Sequence, residues 1–377
     1  MAPSKKESSI VNILQLHILL IACLVSLITV LPGIFLVLQN IALMSDAITH
    51  AILPGIIMMF LLINNLDSPL LLFGASLAGM GSVFLTQFLI QTERIKKDAA
   101  IGLVFPLFFS IGVILITTTH ARNTHVDSDM VLLGELAFAP FNRLVINSYD
   151  LGPSALWMLG CLAIITIFVI KVFFKEFTLV SFDGPFAQVI GFNPRNLYYL
   201  LMALTSSVAV GAFDSIGSIV TIALMIIPPS GALLLCTRIQ PLVLVSISIS
   251  FISSIYGYVL AHIIDASIAG SIAITNGTIF LIICILSPEK GIYSYIQRQR
   301  QQKRKYAQAL LCAAVADSPA SVTFLAYSLN WSSTYMNKVI LQALKNNLVV
   351  IHENSDTIRL SPAGKLFINK AIEQLQI

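Results

Sequence analysis

Residues 13–38 read ILQLHILLIACLVSLITVLPGIFLVL, twenty-six positions with no Asp, Glu, Lys or Arg among them. As an α-helix such a stretch covers about 39 Å, more than the roughly 30 Å of a bilayer's hydrocarbon core. Further apolar runs follow at about 42–64, 69–91, 99–119, 154–175, 197–213, 216–236, 241–263 and 267–286. The whole chain agrees: 57% of its 377 residues are hydrophobic and 11% are charged, and the mean hydropathy is +0.88. That is far from the composition of a water-soluble domain. The expected fold is an all-α polytopic membrane protein with about nine transmembrane helices in residues 1–290.

Lys5 and Lys6 ahead of the first run give it the outline of a secretory signal. No small-residue cleavage site follows, and the run continues through Leu31-Pro32-Gly33, so the segment is expected to be retained. The five cysteines (Cys23, Cys161, Cys236, Cys284, Cys312) are dispersed, four of them inside apolar runs. They form neither a disulfide framework nor a CxxC metal site. The net charge is only +4, but Lys290, Arg298, Arg300, Lys303, Arg304 and Lys305 crowd into the stretch after the last apolar run. Positive charge beside a membrane domain marks the cytoplasmic side. Residues 291–305 therefore read as a basic cytoplasmic linker, on the same side as Arg94 to Lys97, Lys171 to Lys175, Arg195 and Arg238. Nine spans then put the N-terminus outside, which Lys5 and Lys6 do not favour.

Residues 120–153 begin with polar positions, among them His120, Arg122, His125, Asp127 and Asp129, and continue into the short apolar patch Met130 to Pro140. They read either as a solvated outer loop or as a re-entrant or surface helix. From Tyr306 the composition becomes that of a soluble domain, 306–377. Helices are expected over Ala307 to Ala316, Ser321 to Leu329 and Ser332 to Asn346, the last with Met336, Val339, Ile340 and Leu344 at helical spacing. Leu348 to His352 and Thr357 to Leu360 read as strands of a hairpin. Three helices and a hairpin is the order of a winged helix-turn-helix.

The stretch that carries chemistry is Met44-Ser-Asp-Ala-Ile-Thr-His-Ala-Ile-Leu-Pro-Gly55, at the head of the second span. Asp46 and His50 are four apart, so on a helix they share a face and can converge on one ion. Pro54 has no amide hydrogen for the carbonyl of His50. Ionisable residues inside a span are costly unless they face water, a partner or an ion. A carboxylate with an imidazole suits manganese, iron or zinc better than sodium or potassium. The pair is equally compatible with a mutual hydrogen bond at an interface.

In Phe182-Asp-Gly-Pro-Phe-Ala-Gln-Val-Ile-Gly-Phe-Asn-Pro194, Asp183 can cap a short helix that Pro185 starts and Gly191 ends. Such a helix outside the bilayer is either a simple connector or a handle through which a motor subunit exerts force. Asp214-Ser-Ile-Gly217 is taken to open the seventh span, in which Pro228 and Pro229 predict a break or kink. His262 and Asp265 flank the turn after the eighth span and read as a surface contact. No GxxxxGK[ST] loop is present, so the chain is not expected to be an enzyme, and any ATP hydrolysis must occur in a partner.

In this order the motifs resemble the permeases of manganese, zinc and iron ABC importers. The resembling elements are Met44 to Gly55, Arg94-Ile-Lys-Lys-Asp-Ala-Ala-Ile-Gly102, His125-Val-Asp-Ser-Asp129 leading into Leu133-Gly-Glu135, Asp183 to Gly191, Asp214 to Gly217 and Ile226-Ile-Pro-Pro229. The resemblance spans roughly residues 10–291. It implies an inner-membrane permease that works as a homo- or heterodimer, with a cytoplasmic ATPase subunit and an extracytoplasmic metal-binding protein. It also implies a transported divalent cation (Mn, Zn or Fe) and no permanently bound cofactor. By the same resemblance Asp46 and His50 hold the passing metal. Asp183, Gly184, Pro185, Ala187 and Gly191 belong to the element coupled to the ATPase, and His125, Asp129 and Glu135 to an outer segment for ion entry or docking. Residues 321–364 resemble the winged helix of metal-responsive repressors. The rival reading is therefore a membrane-anchored metal-responsive regulator acting through that domain. From 306 to 377 the charge balance is only +1 (Lys338, Lys345, Arg359, Lys365 and Lys370 against Asp317, Glu353, Asp356 and Glu373), thin for nucleic acid.

Overall fold

A computed structural model describes residues 5–65, 68, 70–118, 136–146, 149–288, 290–316, 319–352 and 357–375. The chain divides into two compact units, Met1–Ser287 and Pro288–Ile377. Among the described residues nine spans are long and apolar enough to cross a membrane. They are Ile13–Leu38, Leu43–Ile63, Leu70–Gln91, Lys97–Thr118, Ser154–Val172, Pro194–Ile216, Ser218–Leu235, Ile239–Ile264 and Ile268–Leu286. Each lies within a few residues of its expected place. The first belongs to α1 (Lys5–Leu38) and the second is divided into α2 (Leu43–Ala51) and α3 (Leu53–Ile63). Then come α4 (Leu70–Gln91), α5 (Lys97–Thr118), a hairpin of β1 (Arg143–Ile146) and β2 (Tyr149–Pro153), and α6 (Ser154–Val172). Two short helices follow, α7 (Phe174–Phe182) and α8 (Gly184–Val189). The remaining spans are α9 (Pro194–Ile216), α10 (Ser218–Leu235), α11 (Ile239–Ile264) and α12 (Ile268–Leu286).

Helices α1 and α9 form the middle of the membrane unit. α1 packs on α6, α9, α10 and α11, and α9 on α1, α2, α4, α6 and α10. The most apolar window of α9 is 72% buried, against 17% for α12, so α12 turns most of its surface to the surroundings. Small residues permit the closest approaches. A Cβ on Gly33 would lie 2.0 Å from the carbonyl oxygen of Met225 in α10, and one on Gly55 would lie 2.2 Å from the carbonyl oxygen of Gly74. Serines link the helices: Ser26 and Ser254 are hydrogen-bonded through their hydroxyls, and Ser250 donates to the carbonyl of Ser26. This follows the general rule for packing in lipid, where small residues and interhelical hydrogen bonds replace hydrophobic association. Two further bonds join α12 to α10. Asn276 Nδ2 donates to the Ala223 carbonyl at 3.0 Å and Ser287 Oγ to the Leu234 carbonyl at 2.6 Å. Both donors stand 53 residues beyond their acceptors, so the two helices run parallel in register.

Three sequence expectations change here. Asp214 to Ile216 close α9 rather than open the next span, and the turn into α10 is the single residue Gly217 at φ +81°, where a side chain would be strained. The break expected at Pro228-Pro229 does not occur: α10 stays helical through both prolines, and Ser230 Oγ donates to the Ile226 carbonyl at 2.7 Å. Within 120–153 the described part includes the β1–β2 hairpin, closed by an Arg143–Asp150 ion pair at 2.6 Å. That pairing suits the β-branched run Val145-Ile146.

In the second unit, residues 292–305 of the basic stretch are helical, part of α13 (Ile292–Ala314). Its last turns bury Ala307, Leu311 and Cys312 with Leu325, Met336, Val339, Ile340 and Ile358 in a separate core. Burial there pushes the Cys312 thiol up to about 11. After α13 come β3 (Ala320–Ser321), α14 (Val322–Ser328), α15 (Ser333–Lys345), β4 (Val349–His352), β5 (Thr357–Leu360) and α16 (Pro362–Leu375). The sheet order is β3-β5-β4, antiparallel throughout. The expected helices and hairpin are present, and β3 and α16 are additions.

Candidate functional site

Helix α2 buries Met44, Ser45, Ala47, Ile48, Thr49 and Ala51, which leaves Asp46 and His50 half-buried on its accessible stripe. Their side chains are 33% (His50) and 40% (Asp46) exposed, with His50 Nε2 3.3 Å from Asp46 Oδ1. The four-residue spacing thus brings the two groups onto one face, as the sequence predicts. Thr49 Oγ1 donates to the Asp46 carbonyl at 2.8 Å, inside the same turn. Beyond His50 the helix is re-started at Leu53, with Pro54 in the first turn of α3 and no side-chain cap. Pro54 supplies no amide hydrogen to the His50 carbonyl.

Two aromatic rings wall the imidazole. Phe105 lies 5.8 Å from the His50 ring, tilted, and Phe109 lies 6.3 Å away, edge-on. Both stand one turn apart on α5, which packs along α2. Their four-residue spacing in the fourth span is visible in the sequence, but nothing there ties it to His50. The walls limit the ring's rotation and leave its Nε2 directed toward Asp46. Chemically the pair offers a carboxylate oxygen and an imidazole nitrogen, donors fit for a borderline divalent cation. Among the described residues no group of three or more His, Cys, Asp or Glu gathers as a metal cluster, so within them Asp46 and His50 stand as a pair. His125, Asp129 and Glu135 lie outside the described residues.

The second candidate element is α8. Asp183 Oδ1 accepts from the Phe186 amide at 2.9 Å, Pro185 sits in the first turn and Ala187 is fully buried. Gly191 ends the turn at φ +101°, with its amide on the Gln188 carbonyl at 3.0 Å and the Phe192 amide on the Ala187 carbonyl at 3.0 Å. Gly184 has open space where a Cβ would be. The apolar side chains of this corner face outward: Val189 is 84% exposed, and Phe182, Phe186 and Ile190 are exposed too. Exposed apolar side chains gathered within nine residues make this corner a candidate interaction surface. The sequence reading named the backbone-shaping residues and missed these four, although the pattern FxxxFxxVI was legible. His262 and Asp265 remain at the end of α11, the imidazole 3.3 Å from Gln15 and stacked on Tyr258, beside a cavity of about 350 Å³ lined by both and by Leu136 and Ala137.

Residues 12–287 match the ABC 3 transport family. The manganese transport system membrane protein MntD of Bacillus subtilis is 35% identical over 74% of this chain and 93% of its own length. The zinc transport system membrane protein TroD of Treponema pallidum is 36% identical over 90% of this chain and 94% of its own. That coverage is more than the 287 residues of the membrane unit supply, so part of the C-terminal unit is shared with a protein named for transport. Among solved structures, PsaBC from Streptococcus pneumoniae in complex with Fab aligns with a TM-score of 0.59 and 26% identity, covering 72% of this chain and 91% of the other.

Proposed function

The chain belongs to the ABC 3 transport family, a multi-pass membrane permease and not an enzyme, and from that premise we propose that it conducts manganese or zinc into the cell past Asp46 and His50. The observation that carries the reading is the Asp46–His50 pair, 3.3 Å apart on the one accessible stripe of an otherwise buried membrane helix. The relatives' names support manganese and zinc; the donor pair by itself would also admit iron. We take the permease to work as a dimer with a separate ATPase on the cytoplasmic side and a metal-binding protein outside. The C-terminal unit, read as a winged helix, then lies in the cytoplasm. In this scheme the apolar corner of Phe182, Phe186, Val189 and Ile190 seats on the ATPase, and Asp183, Gly184, Pro185, Ala187 and Gly191 hold its shape. An incoming cation binds the Asp46 carboxylate and Nε2 of His50 in place of the contact these two groups make with each other, and the proton that Nε2 carries in that contact is released to solvent. Two ligands hold a cation loosely enough to be released when the helices are re-aligned.

A double dissociation tests both halves. Asp46→Asn and His50→Ala should lower metal uptake by at least about 10–100-fold, the loss that even an outer-shell partner of a metal ligand brings, while the ATPase still co-purifies. Val189→Asp should do the reverse, losing the ATPase while metal binding to the permease persists. Normal uptake in both site variants would overturn the assignment of Asp46 and His50, and unaltered ATPase binding in Val189→Asp that of the corner.

A further inference from the structure

The first half of α13 takes no part in the core of the small unit. Residues 295–306 are exposed at every position. They carry Arg298, Arg300, Lys303, Arg304 and Lys305 with no acidic residue, and none of the five makes an ion pair among the described residues. Just before them Ile292, Tyr293, Tyr295 and Ile296 are exposed by 50%, 66%, 62% and 43%. These residues are ordered around the helix. Ile292, Ile296, Arg300 and Arg304 recur every four residues, with Tyr293 and Lys303 beside them, so all six share one stripe. The stripe is apolar at its first turn and a half and basic thereafter. Five residues separate the end of α12 at Leu286 from the start of α13 at Ile292. An extended chain of that length reaches under about 20 Å, so the apolar end of the stripe stays within reach of the membrane the last span leaves.

We propose that this stripe of α13 binds anionic phospholipid headgroups of the same membrane. Ile292, Tyr293 and Ile296 enter at the headgroup level, where aromatic and aliphatic side chains are favoured. Arg300, Lys303 and Arg304 contact lipid phosphates, each strengthening attachment by roughly fivefold. Nucleic acid would use the cations but has no use for the apolar turn that precedes them, and it would not be delivered by the chain to within reach of them. The proposal rests on the cytoplasmic placement given above only for which leaflet is met.

The test uses the full chain in nanodiscs, which offer lipid on both faces. Backbone hydrogen exchange over residues 293–305 is compared between discs with about 30% phosphatidylglycerol and discs of phosphatidylcholine alone. Exchange is expected to slow about tenfold or more in the anionic discs and to recover at about 1 M salt. The difference should vanish in the triple variant R300Q/K303Q/R304Q, whose exposed substitutions leave exchange in α15 unchanged. Equal exchange in the two discs overturns the proposal, as does slowing that survives the triple variant. Protection that arises only when duplex DNA is added, with none from anionic lipid, assigns the stripe to nucleic acid and overturns it equally. A C-terminal reporter found outside the cell would refute the cytoplasmic placement without bearing on lipid contact.

Discussion

The interiors of the two units differ in what accompanies their buried apolar side chains. The membrane unit buries hydroxyls and an amide at helix contacts, among them Ser26, Thr49, Ser82, Thr205, Ser206, Ser250, Ser254 and Asn276, while Phe84, Phe88, Ile164, Phe168, Ile274 and Leu286 face outward. The small unit buries Leu311, Leu325, Met336, Val339, Ile340 and Ile358 and exposes the cations of α13. In lipid an apolar side chain gains nothing by moving inward, so helices are held by closeness and by directional bonds. In water the aliphatic side chain itself supplies the drive. One polypeptide therefore changes its rule of cohesion between Ser287 and Pro288.

That contrast can be broken or sharpened by substitution. The largest effect is expected from Gly33→Leu, because the new Cβ would sit 2.0 Å from the backbone oxygen of Met225 and no side-chain rotation relieves a backbone clash. Monodisperse permease should be lost on size exclusion in detergent, a destabilisation beyond about 4 kcal/mol. Next, Leu311→Ala should cost the small unit about 2–5 kcal/mol through the cavity it leaves. The check is an earlier melting transition of that unit with metal uptake unchanged in the cold. The smallest effect belongs to Ser254→Ala, which removes the hydroxyl pair with Ser26. Membrane hydrogen bonds of this type contribute on average about 0.6 kcal/mol and at most about 1.7, measurable as a small shift in unfolding by denaturing detergent. If Ser254→Ala cost as much as Leu311→Ala, the supposed difference between the two interiors would be wrong.

The spans were legible because length and hydropathy are properties of a segment alone, and α1, α4 and α5 need no knowledge of their neighbours. The Asp46–His50 face was legible for the same reason, since four-residue spacing is local. What stayed hidden depended on distant contacts. Nothing near Phe105 or Phe109 says that they wall the His50 ring. The start of α16 carried a cap, with the Gly364 amide on Ser361 Oγ at 3.0 Å. A Cβ on Gly364 would meet the Leu348 carbonyl at 2.2 Å, a contact with a distant residue that local sequence does not show. The boundary between α9 and α10 was misplaced by a few residues because the turn is the single residue Gly217, with no polar loop to mark it. Pro228 and Pro229 failed as break signals: α10 continues through both, packed between α1 and α12.

The two bonds from α12 to α10 bear on how the protein is made. Asn276 and Ser287 each find their acceptor 53 residues back, on a helix the ribosome has completed first. When the last span enters the bilayer, the carbonyls of Ala223 and Leu234 already belong to an inserted neighbour. Its depth is therefore set on arrival by a seat prepared earlier in synthesis, a task that its nearly uniform apolar surface could not perform.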